Sequence, residues 1–128
     1  MLRLTTSPAD LGRVYPWLDE AATGDALPEA FLARLHVALE EAVANIAMHA
    51  QTDSFTLEYL ADVSKVSLVV TDDGLPFDPR LAPVPAPAES LEAVRAGGKG
   101  LILLRHFCKD LEYQRVDGVN KLIMRFER

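Results

Sequence analysis

The sequence predicts an α+β fold, a two-layer α/β sandwich in which a mixed, mostly antiparallel sheet carries helices on one face. Three observations predict it. A long segment from Pro28 to about Ala50 repeats apolar residues at the helical period, and two pairs of alternating segments, Phe55–Val70 and Leu111–Phe126, read as hairpins. Strands and helices also come in runs and do not alternate one by one, as a parallel sheet with helical crossovers would require.

Leu2 to Thr5 is expected as a short first strand. Ser7 and Pro8 then read as the N-cap and first-turn proline of a helix ending near Thr23-Gly24, with Leu11, Val14, Trp17, Leu18 and Ala21 at helical spacing and Trp17 in the core. Pro28 opens the long helix, whose apolar stripe is Phe31, Leu35, Leu39, Ala42 and Ile46. Phe55, Leu57 and Tyr59 alternate with polar residues, as do Val66, Leu68 and Val70 after a turn over Ala61 to Ser64. Asp72-Asp73-Gly74 ends that hairpin. The stretch Arg80 to Glu89, with Pro83, Pro85 and Pro87 at every second position, is expected as an exposed loop, followed by a short helix from Glu89 to Arg95. Leu101 to Lys109 fits a third helix, and Leu111–Arg115 with Lys121–Phe126 close the chain as a hairpin around Asp117-Gly118.

With 128 residues, 49% hydrophobic and 25% charged, the chain has ordinary globular composition and the size of one domain over residues 1–128. No apolar run approaches the roughly 20 residues that cross a bilayer. The N-terminus lacks the layout of a secretory signal, and a single cysteine, Cys108, allows no internal disulfide, so a cytoplasmic protein is expected. Acids outnumber Lys and Arg by 19 to 13, a net charge of −6, which argues against a nucleic-acid surface. Any anion site must be local.

Three features carry chemistry. Glu41, Asn45 and His49 stand at i, i+4 and i+8 on the long helix, offset from its apolar stripe; alone, Glu41 and Asn45 read first as a solvated face. Asp72-Asp73-Gly74 at a strand end is a turn by composition. It also offers an acceptor-only carboxylate to a purine amino group, and a glycine beside which a base could approach. Gly97-Gly98-Lys99-Gly100, running into Leu101, exposes backbone N–H groups at a helix start, a setting for phosphate as well as for a hinge or cap. No Lys-Ser/Thr pair follows, so it is not a Walker A loop.

The order and spacing of the three features together are more specific than any one. Ala38–Ala50 resembles the N box of the Bergerat ATP-binding superfamily, Asp72–Pro79 its first glycine box and Gly98–Leu104 its second. Phe77-Asp78-Pro79 and the closing Asp110, Tyr113, Gly118 and Asn120 resemble the anti-sigma-factor serine/threonine kinases within it. The resemblance implies ATP and Mg2+ as ligands, Glu41 as catalytic base and Asn45 as magnesium ligand. It implies Asp72 on the adenine amino group, Gly74 leaving room for the ring, Gly98, Lys99, Gly100 and Leu101 at the phosphates, and a lid at about residues 80–97. Glu40, on another face, has no such role. His49 is expected as a structural partner near the nucleotide; His36, His106 and Cys108 as packing or surface residues. The implied partners are a STAS-type anti-anti-sigma protein, phosphorylated on serine or threonine, a sigma factor that the kinase sequesters, and a second copy in a homodimer. The alternative is a nucleotide-gated switch that binds a regulator without significant transfer. A detached histidine-kinase catalytic domain is disfavoured, since no separate dimerisation helix with a phosphoacceptor histidine is apparent.

Overall fold

The computed structural model describes residues 1–78, 104 and 106–128. In chain order these form β1 (Leu2–Thr5), α1 (Pro8–Leu11), α2 (Val14–Ala22), a 3-10 turn (Thr23–Asp25), α3 (Glu29–His49), β2 (Ser54–Ala61), β3 (Lys65–Asp72), β4 (Asp110–Val116) and β5 (Val119–Glu127). The strands make one sheet in the order β1-β2-β3-β5-β4, antiparallel at every described joint. The expected short helix at 89–95 lies outside the described residues.

Alternation along the strands sorts the two faces. Phe55 and Leu57 on β2, Val66, Leu68 and Val70 on β3, and Met124 and Phe126 on β5 are all buried on one face. Against them pack Leu35, Ala38, Leu39, Ala42 and Val43 of α3 and Val14 and Leu18 of α2. Each such Leu or Phe contributes roughly 1.5–3 kcal/mol by leaving water, so the stripe on α3 is what docks the helix. The opposite face carries Glu58, Ser67, Thr71 and Lys121, half-buried or exposed, with no described helix over it. Among the described residues no helix is long and apolar enough to cross a membrane.

The turns follow local chemistry. At Asp117-Gly118 both residues have positive φ, 53° and 77°, the backbone of a two-residue turn whose twist matches that of antiparallel strands. Between β2 and β3, Asp62 Oδ1 accepts from the backbone N–H groups of Ser64 and Lys65 at 2.8 and 2.9 Å, and these bonds hold its carboxyl below the usual range.

The first helix departs from expectation by breaking at Gly12-Arg13 into α1 and α2. Pro16 is the reason. It has no N–H to give the Gly12 carbonyl, and its ring would strike that carbonyl in a continuous helix; restarting at Val14 puts it in the first turn, where neither cost arises. Val14 and Leu18 are buried, whereas Trp17 is only partly so, packed at the edge of the core. Of the third expected helix, Leu104, His106 and Phe107 are described and helical; Leu104 is fully buried and its carbonyl accepts from Cys108 N at 3.2 Å. Lys109 N already donates to Arg125 O at 2.8 Å, so the chain has left the helix before Lys109.

Candidate functional site

A cleft open to solvent lies where the C-terminal half of α3 faces the ends of β3, β4 and β5. Its floor is apolar, from Ile46, Val70 and Leu122, and its polar groups are few: Asn45, Asp72, Tyr113 and Asn120. Such a shape suits a flat, largely apolar ligand with a few directed hydrogen bonds.

Asp72 sits where the alternation of β3 turns it toward the helix layer, after Val66, Leu68 and Val70 on the same face. It is 9% exposed. Its Oδ1 accepts from Gly74 N at 2.8 Å and from Asn120 Nδ2 at 3.0 Å. Both hydrogen bonds that it accepts from described residues fall on that one oxygen, and the residue lines the cleft.

Gly74 is required for a reason the sequence did not display. A Cβ there would stand 2.2 Å from the carbonyl oxygen of Ala50 and 2.7 Å from its Cβ. Leu75 N donates to that same carbonyl at 2.7 Å, and Thr52 Oγ1 to Asp73 Oδ1 at 2.6 Å. The loop after β3 is thereby bolted to the C-terminal end of α3. Gly74 itself is not part of the cleft lining, and its missing side chain makes room for this contact.

On α3, Asn45 lines the cleft and is 8% exposed. Glu41, one turn earlier, is half-buried and outside the lining, and His49, one turn later, is exposed with its ring 5.4 Å from that of Phe77 in a near-parallel stack. The spread follows from helix geometry: each step of four residues overshoots a full turn by about 40°, so the ridge winds across the cleft rather than running along it. Glu40 is exposed. Gly98, Lys99, Gly100, Leu101 and the 80–97 segment lie outside the described residues.

The other histidines and the cysteine are packing or surface groups, as expected. His36, 5% exposed, bonds Asp19 Oδ1 through Nε2 at 2.8 Å and stacks on Tyr15, while its Nδ1 has no described partner. His106 is exposed. Burial pushes the Cys108 thiol up to about 12, which keeps it unreactive. No group of three His, Cys, Asp or Glu that could hold a metal occurs among the described residues. The amide oxygen of Asn45 would give a Mg2+ ion one hard oxygen ligand, with phosphates and water to fill its shell, and in that the residue fits it.

Sequence reasoning did not assign Asn120 a role in the site, although it is the most connected polar side chain there. Besides Asp72, its Nδ2 reaches Leu75 O at 2.9 Å and Gly74 O at 3.3 Å, while its Oδ1 accepts from Tyr113 Oη and from Arg115 Nη1 at 2.8 Å. A signal was available: Asn120 shares the alternation of Leu122, Met124 and Phe126, which puts an amide at a core-facing position.

Residues 4–126 match the family described as histidine kinase-like ATPase domain. The chain is 37% identical over 112 residues to the serine/threonine-protein kinase BtrW of Bordetella bronchiseptica, covering 84% of this chain and 79% of that one. It is 29% identical over 101 residues to the serine-protein kinase RsbW of Listeria monocytogenes, covering 72% of this chain and 64% of that protein, just under two thirds of its length. With its antiparallel sheet backed by helices and a cleft built from the residues that carried the resemblance, the chain belongs to the histidine kinase-like ATPase domain family, in which these serine/threonine-protein kinases are its relatives.

Proposed function

We propose that this protein is a cytoplasmic, Mg2+- and ATP-dependent serine/threonine kinase of the anti-sigma type, acting on a STAS-type anti-anti-sigma protein, sequestering a sigma factor in alternation, and working as a homodimer. One observation carries the nucleotide part of the reading: a buried carboxylate, Asp72, is held by one oxygen on the sheet side of the cleft, opposite an amide, Asn45, on the helix side. A donor–acceptor pair so placed suits an adenine amino group at one end and metal-bound phosphate at the other. The names of both relatives support the kinase part.

In this reading Asp72 accepts from the adenine amino group, with Ile46, Val70 and Leu122 against the ring. Asn45 holds Mg2+, which when bound neutralises charge on the phosphates. Glu41, at the rim, accepts the proton of the incoming serine or threonine hydroxyl as its oxygen attacks the γ-phosphorus and the bond to the bridging oxygen breaks, leaving ADP and phosphoprotein. Gly98, Lys99, Gly100 and Leu101 would supply N–H groups and charge to the phosphates, with residues 80–97 as a lid, all of them outside the described residues. Such chemistry is mostly positioning, which the rigid base end of the cleft favours.

The test is capture of partners from the source cell's extract with tagged protein in Mg-ADP, then addition of labelled ATP, with Glu41→Ala alongside. Label appearing on serine or threonine of a captured small protein, with the parent only, is the expected result. Capture without label in the parent overturns the kinase and leaves the nucleotide-gated binding module.

A further inference from the structure

We infer that Asn120 is the residue that sets purine selectivity at this cleft, acting as a positioning residue through Asp72 and not by contact with the base. The inference rests on the adenine reading proposed above.

The side-chain amide has one workable orientation. Its oxygen faces two donors, the Tyr113 hydroxyl and the Arg115 guanidinium, and its nitrogen faces three acceptors, Asp72 Oδ1, Leu75 O and Gly74 O. Flipping it would set N–H groups against a guanidinium, which has no lone pair to give, and an oxygen against three oxygens. Arg115 Nη1 also donates to Gly74 O at 2.9 Å, so the same guanidinium braces the loop and the amide. The network is buried at its centre, with Asn120 6% and Asp72 9% exposed, where an unmatched polar group costs most.

The consequence falls on Asp72. A carboxylate that receives Asn120 Nδ2 and Gly74 N on one oxygen cannot rotate without breaking both bonds, so it presents an acceptor to the cleft in one fixed orientation. A 6-aminopurine offers it an N–H. A 6-oxopurine offers a second oxygen in the same place, leaving two acceptors in contact, and sites built on one hydrogen bond reject such analogues strongly.

Replacing Asn120 with Asp keeps size and keeps an acceptor for Tyr113 and Arg115. It removes the donor to Asp72 and puts two carboxylates in contact, a pair that holds one proton between them, so that Asp72 can then donate. Mg-ADP and Mg-GDP affinities are measured by calorimetry for the parent, Asn120→Asp and Arg115→Met, each checked by circular dichroism. The parent is expected to prefer ADP by about 100-fold or more. In Asn120→Asp that ratio is expected to shrink at least about tenfold, mostly through loss of ADP affinity, and in Arg115→Met by about threefold. A folded Asn120→Asp with the parental ratio overturns the inference; should that variant not fold, an unchanged ratio in Arg115→Met does so. A parent that binds neither nucleotide, or GDP as well as ADP, instead overturns the adenine reading beneath it.

Discussion

The two walls of the cleft are built on opposite principles. On the sheet wall Asp72, Asn120 and Tyr113 are tied to one another, and to Gly74 and Arg115 outside the lining, by one connected set of hydrogen bonds. On the helix side Asn45 lines the cleft while Glu41 and His49, one turn to either side, do not; none of the three makes a hydrogen bond to a described side chain, and Asn45 is buried, Glu41 half-buried and His49 exposed. In the proposed reading, a site arranged so would recognise its base by preorganisation and leave its metal and proton chemistry to groups that the ligand itself organises. The Gly74–Ala50 contact joins the two walls at their base.

The sharpest way to separate them is Glu41→Gln. It should lower phosphoryl transfer by about 10²–10⁴-fold, the usual contribution of a positioned base, while ADP affinity measured by calorimetry stays within about twofold. Loss of binding in step with rate would mean that the helix wall is part of the recognition set. Gly74→Ala attacks the joint between the walls. With the added carbon 2.2 Å from a backbone oxygen the loop or the helix must move, at a cost of about 3 kcal/mol, seen as a melting temperature lowered by about 10 °C.

Those two positions also mark what sequence could and could not reach. The apolar stripe of α3, the alternation of β2, β3 and β5 and the Asp117-Gly118 turn are local patterns, and each element lies within a few residues of where pattern alone puts it. Asp72 and Asn45 drew notice only through the order and spacing of three features that together resemble the family's boxes, since each alone reads as a turn or a solvated helix face. The Gly74–Ala50 contact joins residues 24 positions apart, and the Asn120–Asp72 bond residues 48 apart, so both depend on register that only the folded sheet supplies. The break at Gly12-Arg13 was in fact local, and Pro16 announced it; the apolar spacing of Leu11, Val14 and Leu18 runs through the break and masked it.

A third change, Asn45→Ala, should remove the part of ADP affinity that depends on Mg2+, about tenfold or 1.4 kcal/mol, and leave binding in chelator as in the parent. Equal losses with and without metal would assign Asn45 to the base instead. Phe77→Leu breaks the stack on His49 at a half-buried position and should cost only about 0.5 kcal/mol in a urea melt, since neither ring is deeply buried.

Cys108 serves as a control on both walls because it lies in neither. Its thiol ionises near 9.0 in the unfolded chain and near 12 when folded, so its contribution to stability is full below about pH 9 and declines from there toward pH 12. Tyr59, raised to about 12 by burial and by its bond to Asp25, adds a decline from about pH 10. Urea midpoints of Cys108→Ala should therefore fall less steeply than the parent's between pH 8.5 and 10, with ADP affinity unchanged at pH 7.5.

The most direct test of the cleft as a nucleotide site is calorimetric titration of ADP, with Mg2+ and with chelator, into the parent and Asp72→Asn. The parent should bind one equivalent, more tightly with Mg2+, and Asp72→Asn should lose at least about 100-fold in both conditions while its circular dichroism matches the parent's. Equal affinity in a folded Asp72→Asn would contradict the assignment of the sheet wall to the base.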